Sequence, residues 1–471
     1  MSNVKGIVKS IRDIMRKDAG VDGDAQRISQ MVWMLFMKIY ASKEEQWIKS
    51  IKKYQSPIPE HLKWDNWATN EELNGNDLIE FINKKLFPEL KNLDDSKSGN
   101  VGIIKSVFED TYNYMKNGTL FRQVLNEIDK INFNNKRDSH VFNDIYETIL
   151  KELQSAGSSG EFYTPRAVTR FVAEMVAPKK GEVVLDPACG TGGFLTCTID
   201  YIQKSENLKK IREIQKQIRG VEKKPLPHLL CITNLMLHDF DCPEVQRGNM
   251  LVRPYNSWKS KDRVDVVLSN PPFGGIEEDG TEKNFPENFR TKETADLFLA
   301  LIIKVLKKNG RAGVVLPDAS LNGNGVRAKI RKELLTKCNL HTIIRMPKGV
   351  FNPYTSIKTN LLFFEKGKPT EEIWYYEMPY PEGYKNFSKS RPISTSHFDS
   401  INSWLINKQE NKFAWKIDIE EVKESDYNLD FKNPFVDEHI ETKTSEELLK
   451  LLTQSMDKSQ KLIEEIKNSL T

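Results

Sequence analysis

From residue 182 to residue 365, short apolar runs alternate with stretches of helical periodicity, and no other feature constrains the fold as tightly. Glu182-Val-Val-Leu-Asp186 leads into a glycine-rich turn and a helix. Ile218–Glu222, Val264–Ser269, Ala312–Leu316, Thr342–Arg345 and Asn360–Glu365 follow as further strands. Helical patterns at Pro227–Leu237 and Ala295–Lys307 stand between them. Strands spaced by helices join through crossovers, so the pattern predicts a doubly wound α/β sheet.

Residues 1–153 read differently, as a helical N-terminal domain. Ile7, Ile11 and Met15 repeat at helical spacing, and Ile28, Met31, Val32, Leu35, Phe36 and Ile39 widen the stripe. Leu78–Leu86 and His140–Leu153 behave the same way. Residues 154–160 (Gln-Ser-Ala-Gly-Ser-Ser-Gly) form a flexible joint, residues 161–434 the catalytic domain with a C-terminal extension, and residues 435–471 a helical tail. In the tail, Leu449, Leu452, Met456, Ser459, Ile463, Ile466 and Leu470 make a heptad seam with one polar break. Such a seam is expected to find another helix.

Lys plus Arg number 70 against 66 Asp plus Glu, and 38% of residues are apolar, 10% aromatic. That is too apolar for a disordered chain and too polar for a membrane protein. The run Met31–Met37 stops at Lys38, and Leu297–Leu306 is broken by Lys304; both fall short of a span. No apolar segment opens the chain, so no signal peptide is expected. Five scattered cysteines without a Cys-x-x-Cys pair read as reduced thiols of a cytoplasmic protein, and metal chemistry is not expected.

Two strand ends carry the chemistry. Asp186-Pro-Ala-Cys-Gly190-Thr191-Gly192-Gly193-Phe194 lets backbone approach a ligand at the carboxyl edge of the sheet, though many tight turns need glycine as well. Its spacing is not that of a dinucleotide fingerprint, and it lacks the Gly-Lys-Ser/Thr of a phosphate loop. Glu222, at the tip of the next strand, stands where a carboxylate takes a ribose diol. These parts suit an adenosine-type ligand without a pyrophosphate. The second strand end is Asn270-Pro271-Pro272-Phe273. It serves as a rigid turn in any event, but the Asn270 side-chain carbonyl and the Pro271 backbone carbonyl can each accept a hydrogen bond from one exocyclic amine. That would localise its lone pair, and Phe273 offers a face for an extruded base.

With both motifs in view, the chain resembles amino-methylating DNA methyltransferases, and over nearly its whole length the modification (M) subunit of type I restriction-modification systems. The resemblance takes in Gly160-Glu-Phe-Tyr-Thr-Pro-Arg166, Gly248-Asn-Met-Leu251 and Tyr427-Asn-Leu-Asp-Phe-Lys-Asn-Pro434 as well. It implies S-adenosylmethionine as cofactor, held by Glu161, Phe162, Tyr163, Thr164, Pro165, Arg166, Thr191, Gly192, Gly193 and Glu222. Asp186 would lie near its methionine amino group and Asn249 near its adenine. Asn270, Pro271, Pro272 and Phe273 would receive a flipped adenine from double-stranded DNA. The resemblance further implies a separate specificity (S) subunit bound by two M subunits, and a restriction (R) subunit completing an R2M2S complex. Roughly 100 residues follow Glu365, little room for a domain that reads several base pairs.

The remaining expectations concern the rim. The polar stretch Gly274–Lys292 is expected to order over DNA, with a plain mobile insertion as the alternative. Arg327, Lys329, Arg331 and Lys332 are candidates for phosphate contacts, with a solvated helix face as the alternative, and Lys348–Lys358 is a candidate DNA-facing loop. Two other functions compete: a methyltransferase of the same fold acting on RNA, protein or a small molecule, and a non-catalytic scaffold.

Overall fold

The computed structural model describes residues 4–94, 100–133, 163–208, 211–352, 355–388, 390–435 and 445–470. The expected helix His140–Leu153 and the joint at 154–160 lie outside them. Contacts divide the chain into two units, residues 1–431 and 432–471.

The first unit opens with helices α1 (Val4–Met15) and α2 (Gly23–Ser50), followed by α3 (Val101–Phe108) and α4 (Gly118–Asp129). α2 is buried on almost every side from Met31 to Met37, which explains why its apolar stripe is so wide. Trp33 meets Phe87 edge-on at 4.9 Å, and Trp47, Trp64 and Trp67 are also fully buried. Leu78–Leu86 forms a helix that passes into a π turn at Ile82–Leu86, with Leu78, Ile82 and Leu86 all inside.

The sheet follows. Its strands are β1 (Val184–Asp186), β2 (Ile218–Glu222), β3 (Glu244–Arg247), β4 (Val264–Ser269), β5 (Leu306–Pro317), β6 (Cys338–Arg345), β7 (Thr359–Lys366), β8 (Glu372–Glu377) and β9 (Ala414–Asp418). They lie in the order β3-β2-β1-β4-β5-β7-β6-β8-β9. β3 to β5 in that order run parallel; β7 inserts antiparallel between β5 and β6, and β9 pairs antiparallel with β8. The chain goes from β1 outward to β2 and β3, then returns to β4 on the other side of β1. The carboxyl ends of β1 and β4 therefore flank a topological switch point, where open sheets bind ligands.

Helices α5 (Arg166–Val176), α6 (Gly193–Ser205) and α7 (Pro225–Leu237) belong with one core, and α8 (Thr294–Val305) and α9 (Val326–Lys337) with the other. Val184, Val266 and Leu268 point into the first core with Phe171, Leu195 and Leu230, while Leu185, Val264 and Val267 point into the second with Leu297, Leu301 and Leu334. Each such burial contributes about 1.5–3 kcal/mol. The helical region packs on α7, and on the chain beyond it through side chains: Lys43 pairs with Asp239, the Trp47 indole donates to Asp241 at 2.7 Å, and Arg247 at the end of β3 pairs with Asp110.

Three differences from the sequence reading have physical causes. Strands β3, β8 and β9 were not expected; β3 is an edge strand with a single buried residue, Val245, so its alternation is too brief to stand out. The helix expected to reach Lys307 ends at Val305, because Leu306 already pairs with Val264. Arg331 faces inward at 1% exposure and donates to the carbonyls of Tyr427, Asn322 and Gly323, each at 2.6 Å. It is a carbonyl clamp rather than a phosphate contact. Arg327 is likewise committed, to Asp296 at 2.9 Å. The segment from Tyr427 is strapped down by the same means: Arg345 pairs with Asp430 at 2.5 Å and donates to the Phe431 carbonyl at 2.7 Å.

In the second unit, helix α10 (Ser445–Leu470) carries Leu449, Leu452, Met456 and Ile463 more than half exposed. The side chains of Ile466 and Leu470 lie outside the description. Among the described residues no helix is long and apolar enough to cross a membrane.

Candidate active site

β1 delivers Asp186 to the switch point at 1% exposure. Its Oδ1 accepts from the Ser269 hydroxyl at 2.8 Å and the Ala188 amide at 3.2 Å. Burial pushes this carboxyl up to about 7; the two hydrogen bonds oppose the shift and the charge of Glu222 adds to it. A cationic ligand would supply the countercharge that such a carboxyl needs.

The turn after Asp186 needs left-handed backbone at Gly190 (φ 53°) and Gly192 (φ 80°). A Cβ on Gly190 would meet nothing within 4 Å, so that side is open to a ligand. A Cβ on Gly192 would stand 2.7 Å from the Cys231 Sγ. Packing of the turn against α7 is thus a reason for glycine here, in addition to the ligand approach expected from sequence. Asn234 on α7 donates to the Thr191 carbonyl at 3.0 Å, and Gly193 begins α6.

Glu222 ends β2 and braces the same turn. Its Oε2 accepts from the Gly190 amide at 2.9 Å and its Oε1 from the Lys224 amide at 2.8 Å. Arg166 donates to the Gly193 carbonyl at 3.1 Å and also bonds the Thr196 hydroxyl, which ties α5 to the first turn of α6. Tyr163, Thr164 and Pro165 precede it, half-buried. Glu161 and Phe162 lie outside the described residues. Asn249 caps a short turn through its Oδ1, and its Nδ2 donates to Glu277 at 2.9 Å. Lys223 also pairs with Glu277, at 3.4 Å. In this state the Asn249 amide is taken by the loop after Phe273 rather than offered to a base.

Asn270 follows β4. Its Nδ2 donates to the Thr164 hydroxyl oxygen at 3.0 Å, and its Oδ1 is buried without a hydrogen-bond partner among the described residues. Pro271 is buried and Pro272 exposed. Phe273 departs from the expectation of an open stacking face: it is 3% exposed, belongs to the second core, and meets Phe351 edge-on at 6.3 Å. In the Gly274–Lys292 loop, Phe285 and Phe289 pack against Tyr255, and Ile276 bridges to Glu293. In the candidate DNA-facing loop, Val350 and Phe351 are buried while Lys348 stays exposed.

Sequence reasoning missed Ser269 and Asn234. Each had a signal: a polar residue closing an apolar strand just before Asn270, and a lone amide within an apolar helix.

The carboxyls of Asp186 and Glu222, an open glycine turn and an orphaned amide oxygen thus converge on one crevice. A sequence profile of N-6 DNA methylases matches residues 137–445, and one of the N-terminal domain of type I modification subunits matches residues 4–128. The chain is 51% identical to the type I restriction enzyme EcoEI methylase subunit of Escherichia coli over 99% of its own length and 97% of that protein's. It is 26% identical to the EcoKI methylase subunit of E. coli K12, over 88% and 80%. A crystal structure of a modification subunit assigned to a type I restriction enzyme of Vibrio vulnificus YJ016 superposes with a TM-score of 0.83 at 42% identity, covering 92% of this chain and 96% of that one. A second structure, concerned with complex assembly and conformational transition of the type I restriction-modification system, gives 0.81 at 33% identity, covering 99% and 98%. The chain belongs to the N-6 DNA methylases, as a methylase subunit of the type I restriction-modification kind.

Proposed function

We propose that the switch-point crevice is the site of methyl transfer. Asp186, the Thr191–Gly193 turn and Glu222 hold S-adenosylmethionine, and Asn270, Pro271 and Phe273 receive an adenine rotated out of double-stranded DNA. The observation that carries this reading is the buried Oδ1 of Asn270, which has no hydrogen-bond partner among the described residues. A buried acceptor without a donor costs about 1–3 kcal/mol, which a ligand N–H would recover. The carboxyls of Asp186 and Glu222 suit a cation, and the glycine turn provides space beside them.

S-adenosylmethionine would supply an electrophilic methyl group on a sulfonium. The protein's part is to ready the adenine. Asn270 Oδ1 accepts one N6–H and the Pro271 carbonyl the other, which draws the lone pair out of the ring and aims it at the crevice. The same acceptors steady the N6 protons as positive charge develops, until one is released. Phe273 stacks only after its cover, including Phe351, moves aside, so base entry and a rim rearrangement are one event. An adenine rather than a protein or RNA substrate follows from membership of the N-6 DNA methylases.

The partner is a specificity subunit bound by two copies of this chain, joined by a restriction subunit for cleavage. The exposed seam of α10 supports this, since Leu449, Leu452, Met456 and Ile463 present an apolar stripe to solvent that another surface would cover. Asn270→Ala in the purified complex tests the reading with a tritiated-methyl assay. Loss of a transition-state hydrogen bond costs about 2.7–4 kcal/mol, or roughly 100- to 1000-fold in rate. Normal turnover defeats the proposal.

A further inference from the structure

Resting on that reading, we infer that Thr164 is a positioning residue for methyl transfer, acting on the orientation of the Asn270 amide rather than chiefly on the cofactor. A primary amide can present either its oxygen or its NH2 to a target, and only the oxygen can accept from an exocyclic amine. Asn270 stands at the end of a strand where a half-turn of its terminal bond would exchange the two. In the structure Nδ2 donates to Thr164 Oγ1 at 3.0 Å and Oδ1 has no hydrogen-bond partner among the described residues; a flipped amide would instead accept from the Thr164 hydroxyl and spend on it the acceptor that the base needs. Without the Thr164 oxygen, nothing else described in contact with the Nδ2 would hold it there.

The position of Thr164 gives this bond a second consequence. It lies 106 residues before Asn270 in sequence, in the short extended stretch that enters α5. Two residues on, Arg166 grips the Gly193 carbonyl and the Thr196 hydroxyl, at the start of the helix that issues from the glycine turn. One segment therefore holds both the turn that receives the cofactor and the amide that receives the base.

The test uses the complex of this chain with its specificity subunit, on unmethylated DNA, comparing Thr164→Val, Thr164→Ser, Asn270→Ala and the double variant. Valine keeps the shape and removes the acceptor; serine keeps the acceptor. With Thr164→Val, single-turnover methylation at saturating S-adenosylmethionine is expected to fall about tenfold or more, the value of one orienting hydrogen bond. Cofactor affinity by isothermal titration is expected to stay unchanged, and Thr164→Ser to restore the rate. The double variant is expected to be no slower than Asn270→Ala. If Thr164→Val melts below the assay temperature, Thr164→Ala replaces it. A raised cofactor Kd with an unchanged rate at saturation makes Thr164 a cofactor ligand and overturns the inference, as does a serine variant as slow as the valine one. A fully active Asn270→Ala instead overturns the proposed function itself.

Discussion

Replacing Asp186 with Asn should stabilise the cofactor-free protein while damaging its site, and the gain should depend on pH. The unfolded chain releases this proton near 3.9, whereas burial holds the folded carboxyl up to about 7. Between those values the folded state keeps a proton that the unfolded state has lost. Stability from this group therefore declines as pH rises through the window, and the decline is complete above about pH 7. At roughly 1.4 kcal/mol per pH unit, the cost is about 1.5 kcal/mol at pH 5 and about 4 kcal/mol at pH 8. Asparagine does not titrate, and its Oδ1 can still accept from Ser269 and Ala188. The gap between variant and parent should therefore widen by about 2.5 kcal/mol from pH 5 to pH 8. For a cooperative unit of residues 1–431, an unfolding entropy of about 2.1 cal/mol/K per residue converts this to a Tm gap that widens by ~3 °C. Scanning calorimetry at both pH values, without cofactor, measures it. The same variant should lose the rise in Tm that S-adenosylmethionine gives the parent, because the charge that meets a cation is gone. In the parent, cofactor affinity should increase as pH rises through about 7, where the free protein's carboxyl ionises. A Tm gap constant across the range would show that Asp186 does not titrate in this window and would refute the electrostatic account of the crevice.

Gly192→Ala should destabilise the protein by about 1–3 kcal/mol, through a left-handed backbone and the contact with Cys231, and Cys231→Ala should relieve part of the loss. A denaturant titration in which the second change recovers nothing would place the cause outside the α7 packing. Arg331→Met should cost about 3–5 kcal/mol, since it strands three carbonyls, yet leave the salt dependence of DNA binding unaltered. A normal melt with a reduced salt slope would restore the phosphate-contact reading. Deleting residues 445–471 should leave the cofactor affinity intact and abolish co-purification with a tagged specificity subunit; a deletion that still assembles and methylates shifts the docking role to the helical N-terminal region.

The two strand ends were legible because their demands are local. A turn with Asp186, Gly190 and Gly192, or an Asn-Pro-Pro-Phe after an apolar strand, needs particular residue types in a particular order, and the chain displays that order directly. Strands β1 and β4 were legible for a related reason: buried along nearly their whole length, they read as continuous apolar runs. β3 was not, because an edge strand with polar Glu244, Gln246 and Arg247 lacks the contrast that marks a buried one. The direction in which a charged side chain points was equally hidden. Nothing in the spacing of Arg327, Lys329, Arg331 and Lys332 says that the third of these turns inward to satisfy loop carbonyls while Lys329 and Lys332 stay in solvent.

Local sequence thus determined which residues meet a cofactor turn and a base, since each group is a few consecutive residues. Tertiary structure alone decided what those residues are bonded to: Glu222 to the Gly190 amide, Ser269 to Asp186, Thr164 to Asn270. These partners stand 32, 83 and 106 residues apart and are brought together by the strand order at the switch point. Hydrogen bonds of that separation are set by the register of parallel strands and the packing of helices on both faces. Periodicity and spacing along one chain carry no record of them.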